Sequence, residues 1–430
     1  MMLPSNHPQE DRRVRRLVAA VALAHLAILP LAQILLPTPQ DLRFVLNWFE
    51  MADERGVFQV YSWTDREVAE RFQGGFNANY PPLVFLIYYP AYRLLLSLGA
   101  WPTWPSTGIN LFFRAPIAFG HWLLFVAVFR GKCRVAPGAD LRCSLLFGLN
   151  PALLLAGPVW GQFDVLLWGL MFLSLTAQTD AKYGLAGIWA ALAALLKPQV
   201  LLFVPLAGWV WLRTPRLRRL GVGFSGFLGT VLVVTSPFLM VTGGQWLRSG
   251  YSRVFNAEGG GVTSTAFNLW WLASHLFGVT DANDRLLGLS CKHLGVLAVA
   301  GVGGGVGFLY AFSRPRPLMG LVTIHLLACF LALTGLSERF LVFATASLCV
   351  WAVVDPRLTR PAIVLSCLQV VNLLHNTLYH PGARWGGFIP AAAAETVSVT
   401  AAFLTAFVLA WVLVIYIRSS PDRSETLSPY

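Results

Sequence analysis

Between Leu17 and Ile417 the sequence is a succession of apolar runs with short polar interruptions, and the runs have the length that a bilayer sets. A helix needs about 20 apolar residues to cross a hydrocarbon core of roughly 30 Å, where a backbone must satisfy its own hydrogen bonds. Such runs, some short or broken, cover about 17–36, 108–129, 143–158, 165–180, 184–197, 199–212, 220–241, 286–312, 318–336, 340–354, 361–379 and 395–417, which makes about 12. The expected fold is an all-α polytopic membrane protein. Charged residues make up 12% of the 430, against about 25% in a soluble domain, which argues against a soluble class. The first run follows "EDRRVRR" and has no small-x-small cleavage site, so it reads as an uncleaved span behind a cytoplasmic segment, 1–16.

The net charge of +12 raises the question of nucleic acid, but the basic residues lie in short clusters between apolar runs. That placement is the positive-inside pattern, so no nucleic-acid partner is expected. Cys133, Cys143, Cys291, Cys329, Cys349 and Cys367 lie in apolar runs or beside basic loops, with no disulfide framework and no metal-ligand spacing. With the N-terminus inside, "RGKCRVAPGADLR", "RTPRLRRL", "SRPRP", "DPRLTR" and the tail after Arg418 all fall in the cytoplasm. Counting Tyr80 to Trp101 as a span inverts that pattern. The segment is therefore expected along the outer surface or re-entrant, with Tyr80, Tyr88, Tyr89, Tyr92, Trp101 and Trp104 as interfacial residue types.

This orientation puts the unusual polar features on one side: Asp41, "NYPP" at 79–82, "WGQFD" at 160–164, "KPQ" at 197–199, the loop 243–285, "SERF" at 337–340 and "HPGARW" at 380–385. Asp164 is the one charge in the run from Cys143 to Ala177. A carboxylate at a bilayer centre costs roughly 2.5–3.5 kcal/mol on insertion scales, and such residues are functional candidates. The Gly157-Pro158 break ahead of it suggests that "WGQFD" turns into the next span and faces a wet cavity. In the polar stretch 37–79, Asp41 stands where a helix N-cap belongs. Arg43, Asn47, Glu50 and Glu54 recur at helical spacing, with Phe44, Val45, Trp48, Phe49 and Met51 on the other faces and Gly56 as a stop. "TDRE" offers Thr64 and Glu67 as a capping box for a second short helix. Each polar residue also has a plain alternative. Asp41 and Asp164 suit helix capping, Lys197 suits snorkelling, Arg339 suits a boundary charge, and Asn268 suits helix packing.

In order, the chain reads "QDLRFVLNWFEMADERGVFQVY", "NYPPL", "NPALLLAGPVWGQFD", "LLKPQ", "TAFNLWW" and "LSERFLVF". This ordered set resembles the GT-C superfamily of integral-membrane glycosyltransferases, and within it the prokaryotic relatives of GPI mannosyltransferase II, over about residues 17–354. The resemblance implies a single transmembrane domain over 17–417 with surface helices in a first extracytoplasmic loop of about 37–107; the tail "RSSPDRSETLSPY", 418–430, reads by itself as disordered and cytoplasmic. It implies inverting transfer of one hexose, mannose favoured, from a polyprenyl-phosphate sugar to a lipid, glycan or protein hydroxyl outside an inner (plasma) membrane. An acidic residue of the first outer loop, here Asp41, serves that superfamily as general base. The family pattern His-Glu-Arg-Tyr stands here as Ser337-Glu338-Arg339-Phe340, which keeps the Glu-Arg pair and lacks the His and the Tyr hydroxyl.

Such chemistry assigns roles to residue types. A carboxylate near the acceptor alcohol helps by roughly 10²–10⁴-fold. The departing lipid phosphate needs cations, for which Lys197 and Arg339 stand first, with His380 and Arg384 in support. Trp160 suits stacking on a sugar face, while Gln162 and Asp164 suit its hydroxyls; Asp164 also suits orientation of Lys197 or service as the base in place of Asp41, although the resemblance favours Asp41. Tyr80, Gln199, Asn268 and Glu338 complete the candidate binding set. With no nucleotide to neutralise, no metal or other cofactor is expected, and the sequence has no Asp-x-Asp. The three glycines of "NAEGGGVTSTAFNLWW" suit a mobile loop. A secondary transporter or lipid-linked sugar flippase is the alternative, though no internal repeat is evident. A ligase moving a whole glycan is a third, for which the late outer loops are short.

Overall fold

The computed structural model describes residues 8–35, 40–72, 78–99, 107–132, 138–213, 215–252, 261–313, 315–379 and 390–419. Its helices in chain order are α1 Pro8–Leu35, α2 Gln40–Arg55, α3 Asp65–Arg71, α4 Leu83–Ser97, α5 Thr107–Lys132, α6 Ala139–Val159, α7 Asp164–Thr179, α8 Tyr183–Leu196 and α9 Pro198–Leu212. There follow α10 Leu217–Thr242, α11 Leu269–Phe277, α12 Cys291–Phe312, α13 Leu318–Ala332, α14 Leu341–Val354, α15 Thr359–Tyr379 and α16 Ala391–Arg418. One small hairpin, β1 Arg285–Leu286 with β2 Leu289–Ser290, precedes α12. The chain is all-α in character, and seven of the described helices are long and apolar enough to cross a membrane.

The short helices are where the sequence supplies a break. Proline at 198 and the extended backbone of Lys197 (φ −158°) separate α8 from α9. In α6, Asn150 caps the turn that starts at Pro151, accepting from the backbone of Ala152 at 2.9 Å, and a wide turn over Leu155–Val159 holds Gly157 and Pro158. The helices α13 and α14 are apolar on every face and buried over nearly their whole length. They form the centre of the bundle, and the longer, half-exposed α10, α12 and α16 lie around it. Such interrupted helices are tolerated at membrane depth because protein, and not lipid, surrounds their ends.

The basic segments meet at one end of the bundle. Arg13 pairs with Asp140 at 2.9 Å, Arg142 donates to the Val353 carbonyl at 3.0 Å, Arg316 to that of Ile417 at 3.2 Å, and Arg213 to that of Arg316 at 3.4 Å. Helix α1 begins at Pro8, so part of the segment expected as a plain N-terminus is helical. Helices α8 and α10 pack through glycine: a Cβ on Gly187 would run into the Gly223 carbonyl oxygen, and one on Gly226 into that of Gly184. Small residues allow this approach, which lipid does not drive and close packing must.

The other end carries α2, α3 and α4. The capping box forms as the spacing required, with Glu67 N donating to Thr64 Oγ1 at 3.3 Å and Thr64 N to Glu67 Oε2 at 2.7 Å, and Gly56 (φ 94°) follows the end of α2. Two expectations need correction here. Asp41 lies within α2 and not ahead of it as an N-cap, and the helix is sunk into protein over residues 45–49 and 51–52, with Asp53, Glu54 and Arg55 exposed. Val45, Leu46, Asn47, Trp48, Phe49, Met51 and Ala52 are all buried, because α4 and the turn at Val57–Ser62 cover it. Tyr88 and Tyr92 are likewise buried in protein, within ring-contact distance of Phe49 (6.4 and 5.7 Å), and do not form an interfacial belt. Trp101 and Trp104 lie outside the described residues. Arg55 ties α2 to Glu67 at 2.6 Å and lies over the Trp63 ring, Arg71 reaches Glu54 at 2.8 Å, and Arg93 pairs with Asp53.

Gly187→Ala should lower thermal stability by about 1–3 kcal/mol, because α8 cannot part from α10 without loss of packing. Gly229→Ala, on α10 with nothing within 4 Å, should leave melting in detergent unchanged. Hydrogen bonds from Arg55 first, then from the Thr64 backbone and hydroxyl, lower the Glu67 carboxyl from 4.5 to about 2. A lowered carboxyl contributes stability above its unfolded value and loses it as the pH falls through the folded one. Hydrogen exchange over Asp65–Arg71, corrected for intrinsic rate, should therefore speed up between pH 4.5 and about 2, and Glu67→Gln should abolish that step.

Candidate functional site

The expected residues from three distant motifs meet at the end of the bundle where α2 to α4 lie. Asp164 is the first residue of α7. Phe163 occupies the N-cap and no side chain caps this end, so the capping alternative for Asp164 does not apply. Its Oδ1 accepts from Lys197 Nζ at 2.8 Å, both side chains being 4% exposed. Lys197 also donates to Gln162 Oε1 at 3.2 Å, and the Tyr80 hydroxyl donates to the same oxygen at 3.3 Å. The ammonium stands 5.5 Å from the centre of the Tyr80 ring. Snorkelling to solvent is excluded for this lysine: its head is buried and bound.

Local sequence explains each position. The wide turn of α6 delivers Trp160 and Gly161 (φ 80°) into the tight connection to α7. Lys197 is displaced from helical geometry by Pro198, which fixes its extended backbone and turns the side chain toward α7. Tyr80 is pinned by Tyr61, whose hydroxyl donates to the Tyr80 carbonyl at 2.6 Å. Its ring lies edge-on to Trp48 of α2 (5.3 Å) and to Phe163 (6.1 Å). Asp164 Oδ2 has no hydrogen-bond partner among the described residues, which leaves one carboxylate oxygen for a ligand or water.

The later motifs pair with each other and close on this cluster. Ser264 N donates to the Leu336 carbonyl at 3.0 Å, Gly335 N to that of Val262 at 3.1 Å, and the Thr265 hydroxyl to buried Glu338. Thr265 takes a positive φ of 62° to do so, a strained backbone held by this pairing. Arg339 is half-buried beside Ser337, its Nε donating to Ser337 Oγ at 3.5 Å.

Of the remaining expected residues, Trp160 is half-buried at the turn, and Gln199 sits in the first turn of α9 with Oε1 unpartnered among the described residues. Asn268 is fully buried and caps α11, accepting from Trp270 and Trp271 at 3.1 and 3.0 Å and donating to the Phe330 carbonyl. This is the packing role that the sequence left open. The Asp41 side chain, His380, Arg384 and the glycines at 259 and 260 lie outside the described residues, as does Cys133. The other five cysteines are free thiols.

Several buried polar groups went unnoticed in the sequence. Arg114 is fully buried in α5, in a run where it is the one formal charge, so the reasoning applied to Asp164 would have found it. His25 of α1 and His121 of α5 are 3.1 Å apart and buried mid-helix. Thr265 sits inside a quoted motif without a signal of its own. No protein-family model matches this chain, and no curated protein does.

Removing one partner of a buried ion pair leaves an uncompensated charge and costs about 3–5 kcal/mol, whereas replacing both need not. Asp164→Asn and Lys197→Met should each lower the melting temperature in detergent. The double variant should recover much of the loss, and equal or greater loss in the double would show that the pair does not hold the two turns together.

Proposed function

We propose that this chain is an inverting glycosyltransferase of the GT-C type that moves a single hexose, mannose favoured, from a polyprenyl-phosphate sugar to an acceptor hydroxyl. Its helices cross the membrane in about twelve passes, seven long and the others short or broken. The end that carries Asp164 and Lys197 faces outside the cytoplasm of an inner (plasma) membrane. The basic end faces inside, in keeping with positive-inside bias. Lipid, glycan or protein supplies the acceptor.

The observation that supports this most is the meeting of Lys197, Asp164, Gln162 and Tyr80, drawn from three separate motifs, in one buried cluster. A buried lysine suits a phosphate that gains charge as the anomeric bond breaks, and Arg339 is assigned to the same group. The acceptor oxygen attacks the anomeric carbon from the side opposite the phosphate, and its proton passes to a carboxylate. Asp41 is assigned that role. It lies in the first turn of α2, two turns and about 10 Å of helix from Trp48, which touches Tyr80. Asp164 orients Lys197 and offers Oδ2 to a sugar hydroxyl.

A transporter is the second reading, favoured by the buried His25–His121 contact, since titratable pairs at mid-membrane serve proton relays. Turnover of polyprenyl-phosphate mannose and glucose by purified protein, with EDTA present, separates the two. Asp41→Asn should reduce turnover by about 10²–10⁴-fold with the protein still folded. If Asp164→Asn is dead and Asp41→Asn active, the base is Asp164. If no sugar donor is consumed, transport becomes the better reading.

A further inference from the structure

The arginines at the basic end are of two kinds. Arg13, Arg142 and Arg357 are bonded within the protein, to Asp140, the Val353 carbonyl and Asp355. Those at the start of α10 are not engaged in this way. Arg216 occupies the N-cap position and Arg218 the first turn, both exposed and neither with an ion pair or side-chain hydrogen bond among the described residues. Arg219 lies over the Tyr183 ring of α8, 5.2 Å from its centre, where the glycine contacts draw the two helices together. The sequence gives these cations no nearby carboxylate: none stands between Lys182 and Ala257, and Asp180 is 3.5 Å from Lys182. Beside the arginines α10 turns an apolar ridge outward, with Leu217, Leu220 and Phe224 at 80%, 50% and 62% exposure. Spacings of three and four put the three on one side of the helix. An apolar surface of this kind belongs against hydrocarbon, which sets Arg216 and Arg218 at the level of the lipid head groups.

We propose that this corner of α8 and α10 docks an anionic phospholipid, its phosphate against Arg216 and Arg218 and its acyl chains along Leu217, Leu220 and Phe224. The inference is independent of the transfer reaction proposed above, because it concerns the opposite end of the bundle and needs neither donor nor acceptor. Charge complementarity selects the occupant. Guanidinium groups pair with phosphate oxygens through two parallel hydrogen bonds, which suits a phosphodiester held at this level. A zwitterionic lipid brings an ammonium group that the same arginines repel. A free phosphate answers the cations and leaves the apolar ridge unused. A second copy of this chain, packed through the same face, sets arginine against arginine. A lysine or arginine beside an anionic lipid surface gains about fivefold in binding, so Arg216, Arg218 and Arg219 together amount to about 10²-fold. Selection here comes from charge, since one acyl chain replaces another on the ridge without gain.

The test is a titration of the delipidated full chain in detergent, read by native mass spectrometry, which counts bound lipids and protein copies together. Phosphatidylglycerol and phosphatidylcholine with the same acyl chains are the probes, and glycerol phosphate is the competitor. Wild type should bind phosphatidylglycerol at least about tenfold more tightly than phosphatidylcholine, and glycerol phosphate should not displace it. The triple variant Arg216→Gln, Arg218→Gln, Arg219→Gln should lose that preference. Arg219 also packs on Tyr183, so the double variant Arg216→Gln, Arg218→Gln guards against misfolding, and it should keep the wild-type melting temperature and still lose most of the preference. Arg12→Gln, Arg15→Gln, Arg16→Gln on α1 removes the same number of charges from exposed positions elsewhere and should bind as wild type does. Absence of a preference in wild type, an unchanged double variant, or an equal loss in the α1 variant overturns the proposal. So does displacement by glycerol phosphate, which marks an anion site without a lipid, or a lipid-free dimer that the α10 substitutions dissociate, which marks a second copy as the occupant.

Discussion

The ion pair between Asp164 and Lys197, 2.8 Å long and shut away from water, is what the polar end of the bundle is built around. Two charges at such depth cost several kcal/mol each unless each finds partners. Here the partners are one another, the Gln162 carboxamide and the Tyr80 ring. To bring them together, α8 must stop at Lys197 and α7 must start at Asp164, so the pair dictates two helix breaks within the bundle. Helices broken at that point cannot face lipid, and α13 and α14 with their neighbours enclose them.

An aromatic chain extends this constraint outward. Trp48, Tyr80, Phe163 and Tyr88 touch in sequence, which couples α2, the "NYPP" turn and the start of α7 to the ion pair. The same rings separate two environments within a few ångströms, one charged and one wholly apolar. Across the site, the strained Thr265 backbone and the Glu338 contact hold the Glu-Arg motif in register with the loop before α11.

Local chemistry was readable where one short segment supplied all the partners. Gly56 at the end of α2 and the Thr64–Glu67 box needed nothing beyond their own neighbours. The lone charge in an apolar run marked Asp164; the same rule fits Arg114 but was not carried to it, and His25 and His121 have no formal charge for it to act on. Helix α2 was misjudged for a different reason. Its alternation of charged and apolar residues resembles a surface helix, and only the packing of α4 and of the turn at Val57–Ser62 over it makes Asn47 and Ala52 interior. Asn268 looked like a site residue by its motif, but a helix start needs its two orphan amides satisfied, and the side chain is used there.

By itself the sequence determined that the chain carries runs apolar and long enough to cross a membrane, where several of its helices are capped or broken, and that Asp164 is too polar for its run. Hydrophobic length, capping chemistry and the Gly and Pro breaks are local, and water against hydrocarbon decides them one segment at a time. Tertiary structure alone decided which polar residue pairs with which. It gave Asp164 to Lys197 and Glu338 to Thr265, and it opened an apolar groove beside the ion pair. Those outcomes depend on how helices far apart in sequence cross and how closely glycine lets them approach, and no single segment contains that information.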